Sequence, residues 1–156
     1  MESIQHIIID DTLRRIGDKA FAPYLCHAYC SGGFCTFDYN GRAFRMEQGD
    51  CLIIPRRGDL VENLRESNGF RVSVIYVTQE FIELATPQSN YGMKGHLALF
   101  DNPVMRLTEA QQRQCGQNFE TIRRRLAAPG HNFYREVLAN AVQTMILDFF
   151  AFHSTL

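Results

Sequence analysis

The chain lacks the marks of several large protein classes before it shows any of its own. It has no basic leader followed by an apolar stretch and a small-residue cleavage site, and no uncharged apolar run of the ~18 residues a membrane helix needs. Neither secretion nor membrane spanning is expected, and the reading is a cytoplasmic protein. Positive charge is not in excess: 16 Lys and Arg stand against 17 Asp and Glu, a formal net charge of -1. Electrostatic DNA binding needs a clustered surplus of Lys and Arg, so these residues alone are not expected to hold DNA. There is no Gly-x-Ser-x-Gly elbow, no phosphate-cradling Gly-rich loop with Lys, and no Cys-x-x-Cys. No catalytic residue and no cofactor is therefore assigned, and the expectation is not an enzyme.

The cysteines, Cys26, Cys30, Cys35, Cys51 and Cys115, are odd in number and sit mostly within strand-like apolar runs. There a free thiol behaves as a small hydrophobe, which suits a reducing compartment. Cys26 and Cys30 share a strand face but are too spread along it for a disulfide. No internal repeat and no low-complexity segment is present.

What the chain does have is a core. With 156 residues and 46% hydrophobic content, it can form one domain over 1–156 without disulfides or a structural metal. Between about Tyr24 and Thr78, short β-type runs alternate with turn residues, which predicts closely spaced antiparallel strands over 23–78. The sharpest turn is Asn40-Gly41, a pair suited to the positive φ angles of a tight hairpin. Before it, Cys35, Phe37 and Tyr39 share one strand face while Thr36 and Asp38 point to the other. Cys51-Leu-Ile-Ile-Pro55 is nearly continuous apolar sequence, predicting a strand buried on both faces. Phe70 to Val77 is the strongest β run. Several short strands must close up or stack to protect their edges, so a barrel or jelly roll is expected.

After Thr78 the pattern changes. A short helix is expected over Gln79 to Ala85 and a loop over Gln88 to Gly95, within a 79–107 connecting segment. Thr108-Glu-Ala-Gln111 fits a capping box and predicts a helix start. Cys115, Phe119, Ile122 and Leu126 then form one apolar stripe. Pro129-Gly130 ends that helix, and a second one, from roughly Asn132 to Phe152, turns back to complete a hairpin over 108–156. In this last helix Asn140, Gln143, Thr144 and Asp148 occupy a strip of roughly 140° at about 100° per residue. The rest of its girth is apolar, which predicts two burial partners: its own domain, and either more of that domain or a second subunit.

The segment Gly33-Phe-Cys-Thr-Phe-Asp-Tyr-Asn-Gly-Arg-Ala-Phe-Arg-Met-Glu-Gln-Gly-Asp-Cys-Leu-Ile-Ile-Pro55 resembles the core of AraC-type sensor domains. There a strand, a tight Gly turn, a second strand and a Gly-Asp pair lead to an apolar strand ending in Pro. Ser73-Val-Ile-Tyr-Val-Thr-Gln-Glu-Phe-Ile82 is similar to that family's strand into a short helix, and the hairpin after Thr108 sits where the family keeps its dimerisation helices. The resemblance implies a mainly β fold with C-terminal α: a cupin-like double-stranded β-helix (jelly-roll) barrel followed by an antiparallel helical hairpin. It implies an N-terminal arm, here 1–22, folding over a barrel that holds a small-molecule effector, and a homodimer formed through the C-terminal helices. It also implies a helix-turn-helix DNA-binding domain, which these residues do not supply, so a sensor domain excised from a longer bacterial regulator is expected. The rival reading from another class is a stand-alone cupin enzyme, an isomerase or dioxygenase acting on a small metabolite.

Metal-binding cupins converge two His, a Glu and a later His on one ion. This chain has only His27 on its early strands. Where the later His would stand the residue is Val61, and Glu62 points to the opposite face. No metal is assigned; His27 with Cys30 supplies two ligands where four are needed. For the effector pocket the candidates are Tyr24, Cys26, Cys35, Phe37, Tyr39 and Tyr76, inward positions mixing aromatic and polar groups. Arg71 and Ser73 replace Tyr76 if the last strand has the opposite register, and aromatic side chains simply filling the barrel is the competing account. Arg56, on a loop after a barrel strand, is a candidate at the mouth. Arg123, Arg124 and Arg125 fan around a helix and suit a solvated surface better than an anion site. Phe119, Ile122, Leu126, Leu138, Met145 and Phe149 are the candidates for the dimer contact.

Overall fold

A computed structural model describes residues 5–16, 18–54, 61–85 and 102–154. In chain order the elements are β1 (Ile7–Asp10), a 3-10 turn (Lys19–Phe21), β2 (Tyr24–Gly32), β3 (Phe34–Tyr39), β4 (Arg42–Glu47), β5 (Asp50–Ile54), β6 (Val61–Glu66), β7 (Arg71–Thr78), α1 (Gln79–Ala85), β8 (Val104–Arg106), α2 (Glu109–Leu126) and α3 (Tyr134–Ser154). The strands form two antiparallel sheets, one of five strands in the order β1-β7-β2-β5-β8 and one of three in the order β4-β3-β6. The chain is thus mainly β with C-terminal helices. The closed barrel expected from sequence is replaced, among the described residues, by two open sheets. Alternating strands dictate an inward face but not whether the edges join by hydrogen bonds.

The hairpin of β3 and β4 turns where expected, with φ 51° at Asn40 and 81° at Gly41. Both values are left-handed, as a two-residue hairpin turn needs to follow the strand twist. β3 then pairs Cys35 with Met46 and Phe37 with Phe44. β5 is buried along its whole length, as its continuous apolar sequence predicts, because β2 and β8 flank it and both sheet faces are covered.

The five-stranded sheet is the middle of three layers. Cys26, Ala28 and Cys30 of β2, Leu52 and Ile54 of β5, and Val72, Val74 and Tyr76 of β7 face the three-stranded sheet. They meet Cys35, Phe37, Tyr39 and Met46. Cys51, Ile53, Ile75, Val77 and Met105 project the opposite way, into a second core made with the three helices. A strand's period of two puts successive residues into these two environments.

Two strands lie where no strand was expected. β1, within the arm, pairs with β7 from Ile7↔Val77 to Asp10↔Val74, and β8 pairs with β5 from Asp50↔Arg106 to Leu52↔Val104. Both are too short to show a period of their own, and both lie at sheet edges.

Thr108 caps α2 with the expected reciprocal pair: its hydroxyl accepts from the Gln111 amide at 3.2 Å and its own amide donates to Gln111 Oε1 at 2.9 Å. Asn118 Nδ2 donates to Asp148 Oδ2 at 2.7 Å and ties α2 to α3. Gly49, at φ 91°, lets the β4–β5 turn approach α2 closely: a Cβ there would lie 2.7 Å from the Gln112 amide. Among the described residues, no helix is long and apolar enough to cross a membrane.

Candidate functional site

The space between the two sheets collects the sequence-predicted pocket set. Cys26, Cys35, Phe37, Tyr39 and Tyr76 are all buried there, and Tyr24 packs half-buried at the margin. Tyr76 is inward, so β7 takes the first of its two registers; Arg71 is exposed and Ser73 falls on the helix side of the strand. Val61 lies opposite Tyr39, half-buried against the same core, while Glu62 is exposed. Arg56 lies outside the described residues.

The arm closes one end of this space. The Tyr76 hydroxyl donates to the Thr12 carbonyl at 3.2 Å. Leu13 is buried among the inward side chains, with Ile16 and Phe21 packed against them. Phe21 stands edge-on to Tyr76 with ring centroids 4.8 Å apart. The Tyr24 hydroxyl donates to the carbonyl of Gln5. Arg14 reaches across to Glu66 of the three-stranded sheet at 3.1 Å, while Arg15 returns to Asp10 of β1 at 3.0 Å. The arm therefore spans both sheets, and its hold combines one plugging leucine, aromatic contact and partly exposed ion pairs. The arm is an expectation from the family resemblance, which does not single out Leu13 and Thr12 as its contact points; a lone apolar residue in a polar stretch is the signal the sequence offers there.

Burial sets the chemistry of the interior. It raises the thiols of Cys26, Cys30 and Cys35, Cys35 to about 12, and it also raises the Tyr76 phenol. These groups are neutral at physiological pH, weak as nucleophiles, and suited to hydrogen bonding and apolar contact. All five cysteines are free and buried.

His27 and Cys30 are not brought together. Cys30 faces the three-stranded sheet, whereas His27 faces the helices and stacks on Phe149, with ring centroids 6.1 Å apart and planes at 14°. His27 is 5% exposed, and its Nδ1 has no hydrogen-bond partner among the described residues. Burial pulls its pKa down to about 4, opposed by a backbone hydrogen bond at Ile75. No group of three or more His, Cys, Asp or Glu side chains able to hold a metal ion occurs among the described residues.

The side chains proposed from sequence for a dimer contact are turned inward within this chain. Phe119, Ile122, Leu138, Met145 and Phe149 are buried in the helix–sheet core, and Leu126 packs against it. The stripe analysis identified the buried face correctly but could not name its partners, which include the neighbouring helix and the five-stranded sheet of the same chain. The outward face of α3 carries Asn140, Thr144, Leu147 and Ala151. Leu147 is 44% exposed, and Phe133, in the turn before α3, is 63% exposed.

No protein-family model and no curated protein matches the sequence. The fold is similar to the solved structure of the AraC-like transcriptional activator CuxR, with a TM-score of 0.56 and 11% identity over 97% of this chain and 49% of that one. At that identity the likeness is one of fold. This chain spans about half the length of the activator it matches.

Proposed function

We propose that the chain is the effector-sensing and dimerising half of an AraC-family transcription regulator. Its two sheets form a cupin-like container for a small molecule and control a DNA-binding unit that lies outside these residues. The observation that carries this reading is the extent of the fold match: nearly all of this chain against about half of an AraC-like activator. The interior supports it, because neutral thiols and tyrosine hydroxyls amid aromatic walls are the lining a small effector uses. The arm supports it too. A segment bonded to the inward Tyr76 is placed to respond when that hydroxyl finds another partner, and an effector acts by binding one arm arrangement more tightly than the other. On this reading the protein is a bacterial, cytoplasmic one that catalyses nothing.

A thermal-shift screen of sugars and small aromatic or carboxylate metabolites tests the container, since a ligand that binds only the folded form stabilises it. A hit that protects the wild type, and loses its effect in Tyr39→Ala or Phe37→Leu, supports the reading. A purified protein holding stoichiometric zinc, iron or manganese would replace it with the cupin-enzyme reading. The dimer contact belongs on the outward face of α3, because the stripe beneath is occupied by the sheet. Leu147→Asp should shift the sizing profile from dimer to monomer, and an unchanged profile removes that face from the proposal.

A further inference from the structure

The edges of the two sheets come together at two places. Near β6 the arm bridges them through Arg14 and Glu66. At the other, β4 lies beside β8 and β5, and a groove of about 330 Å³ opens there. That volume is at the low end of small-molecule cavities, ~300–1,000 Å³. Its walls include Phe44, Arg45, Asp50, Asn102, Val104 and Arg106.

Asp50 and Asn102, the acceptor side chains that line this groove, already carry contacts, and Glu47 beside it is paired through one of its two oxygens. The buried Asp50 carboxylate accepts from the Glu47 amide at 2.9 Å and faces Arg106 Nε at 3.5 Å. Glu47 Oε1 faces Arg45 Nε at 3.2 Å and Arg106 Nη2 at 3.6 Å. Asn102 Oδ1 accepts from the Val104 amide at 3.1 Å.

The donors are in surplus. Both Arg106 contacts are longer than the ~2.7–2.9 Å of a good charge-assisted bond. They use Nε and Nη2 and leave the Nη1 edge of the guanidinium fork without a contact among the described residues. The Arg106 side chain is 75% exposed. Arg45 is held in place 3.8 Å above the Phe34 ring, and the Asn102 amide nitrogen adds another donor. A polyol would need free acceptors for its own hydroxyls. An acceptor-only head group needs none. Phe44 and Val104 supply an apolar wall, and Phe44 continues inward to Phe37 and Tyr39 at ring-centroid separations of 6.0 and 6.4 Å.

We propose that the groove between β4 and β8 binds a small monocarboxylic acid with a single ring or a short alkyl chain. Its carboxylate lies on the free edge of Arg106 beside Asn102, and its body rests on Phe44 and Val104. The inference concerns binding alone and stands independently of the regulatory reading. It does carry a consequence for the helices. Arg106 precedes the N-cap Thr108 by two residues, and the β4–β5 turn that leads into Asp50 rests on Gln112 of α2 through Gly49. A ligand gripping both strands therefore clamps the segment from which the helical hairpin starts.

The test is an NMR titration of the intact chain with benzoate and hexanoate, using benzamide and hexanamide as uncharged matches. The carboxylates should shift the Val104, Met105 and Arg106 amides and the Arg106 Nε–H, and the amides should not. Arg106→Gln should weaken binding about tenfold or more, the effect of losing one charged contact. Val104→Trp should block binding while keeping both arginines, so a folding defect in the first variant does not shelter the proposal. Equal shifts from the amides, no shift from either carboxylate, or undiminished binding to both variants would overturn it.

Discussion

The two apolar bodies on either side of the five-stranded sheet are both well buried, yet they satisfy their polar atoms in different ways. On the helix side, the sequestered imidazole of His27 leaves Nδ1 without a partner among the described residues and lies flat on Phe149. Between the sheets, the Tyr76 hydroxyl is satisfied by Thr12, a residue of the arm. The first core also takes in Ile7 of the arm, but through apolar contact, and is hostile to charge. The second depends for one of its hydrogen bonds on a segment that arrives from outside it. On the proposed effector-sensing reading, that difference separates a structural core from one whose internal partner a ligand would replace.

The comparison can be broken or sharpened by experiment, beginning with the largest effect. Phe149→Ala removes the ring that covers His27 and should cost about 3–5 kcal/mol in denaturant unfolding; a cost below about 1 kcal/mol would mean the helix side is loosely filled. Next comes pH. The folded pKa of His27 lies near 4, below the ordinary 6.5, so the unfolded chain binds more protons between those values. The helix side should therefore keep its full stability above about pH 6.5 and lose up to ~3 kcal/mol as pH falls toward 4. Denaturant midpoints measured from pH 7 to 4 check this, and His27→Phe should flatten the slope if the imidazole is its source.

Tyr76→Phe comes third. It should cost about 1 kcal/mol, the usual net worth of such a hydrogen bond, and should speed proteolysis in the arm more than in the helices. Equal acceleration in both places would erase the distinction between the cores. The smallest stability effect belongs to Leu147→Asp on the outer face of α3, within about 0.5 kcal/mol, even as it alters association.

Much of this arrangement was legible in the sequence, and the parts that were not share a cause. The Asn40-Gly41 turn, the Thr108–Gln111 box, the run from Cys51 and the inward trio Cys35, Phe37 and Tyr39 are local patterns in which each residue's chemistry fixes its own geometry. β1 and β8 escaped because strands of four and three residues do not declare a period. The stripe on α2 and α3 gave the correct buried positions but not their neighbour, since periodicity specifies a face and not what covers it. The β4–β8 groove was not legible at all. It joins residues about sixty positions apart, Arg45 and Arg106, and depends on β8, the strand that the sequence concealed.

β2 runs through the middle of the larger sheet, hydrogen-bonded to β7 on one flank and β5 on the other, with Cys26, Ala28 and Cys30 pointing into one core and His27 and Tyr29 into the other. A slip of one residue along either flank would exchange the two sets, forcing an imidazole among thiols and tyrosines and withdrawing the partner of Phe149. This strand thus acts as a molecular ruler, so that an insertion tolerable in the surface turns would here misalign the whole domain at once.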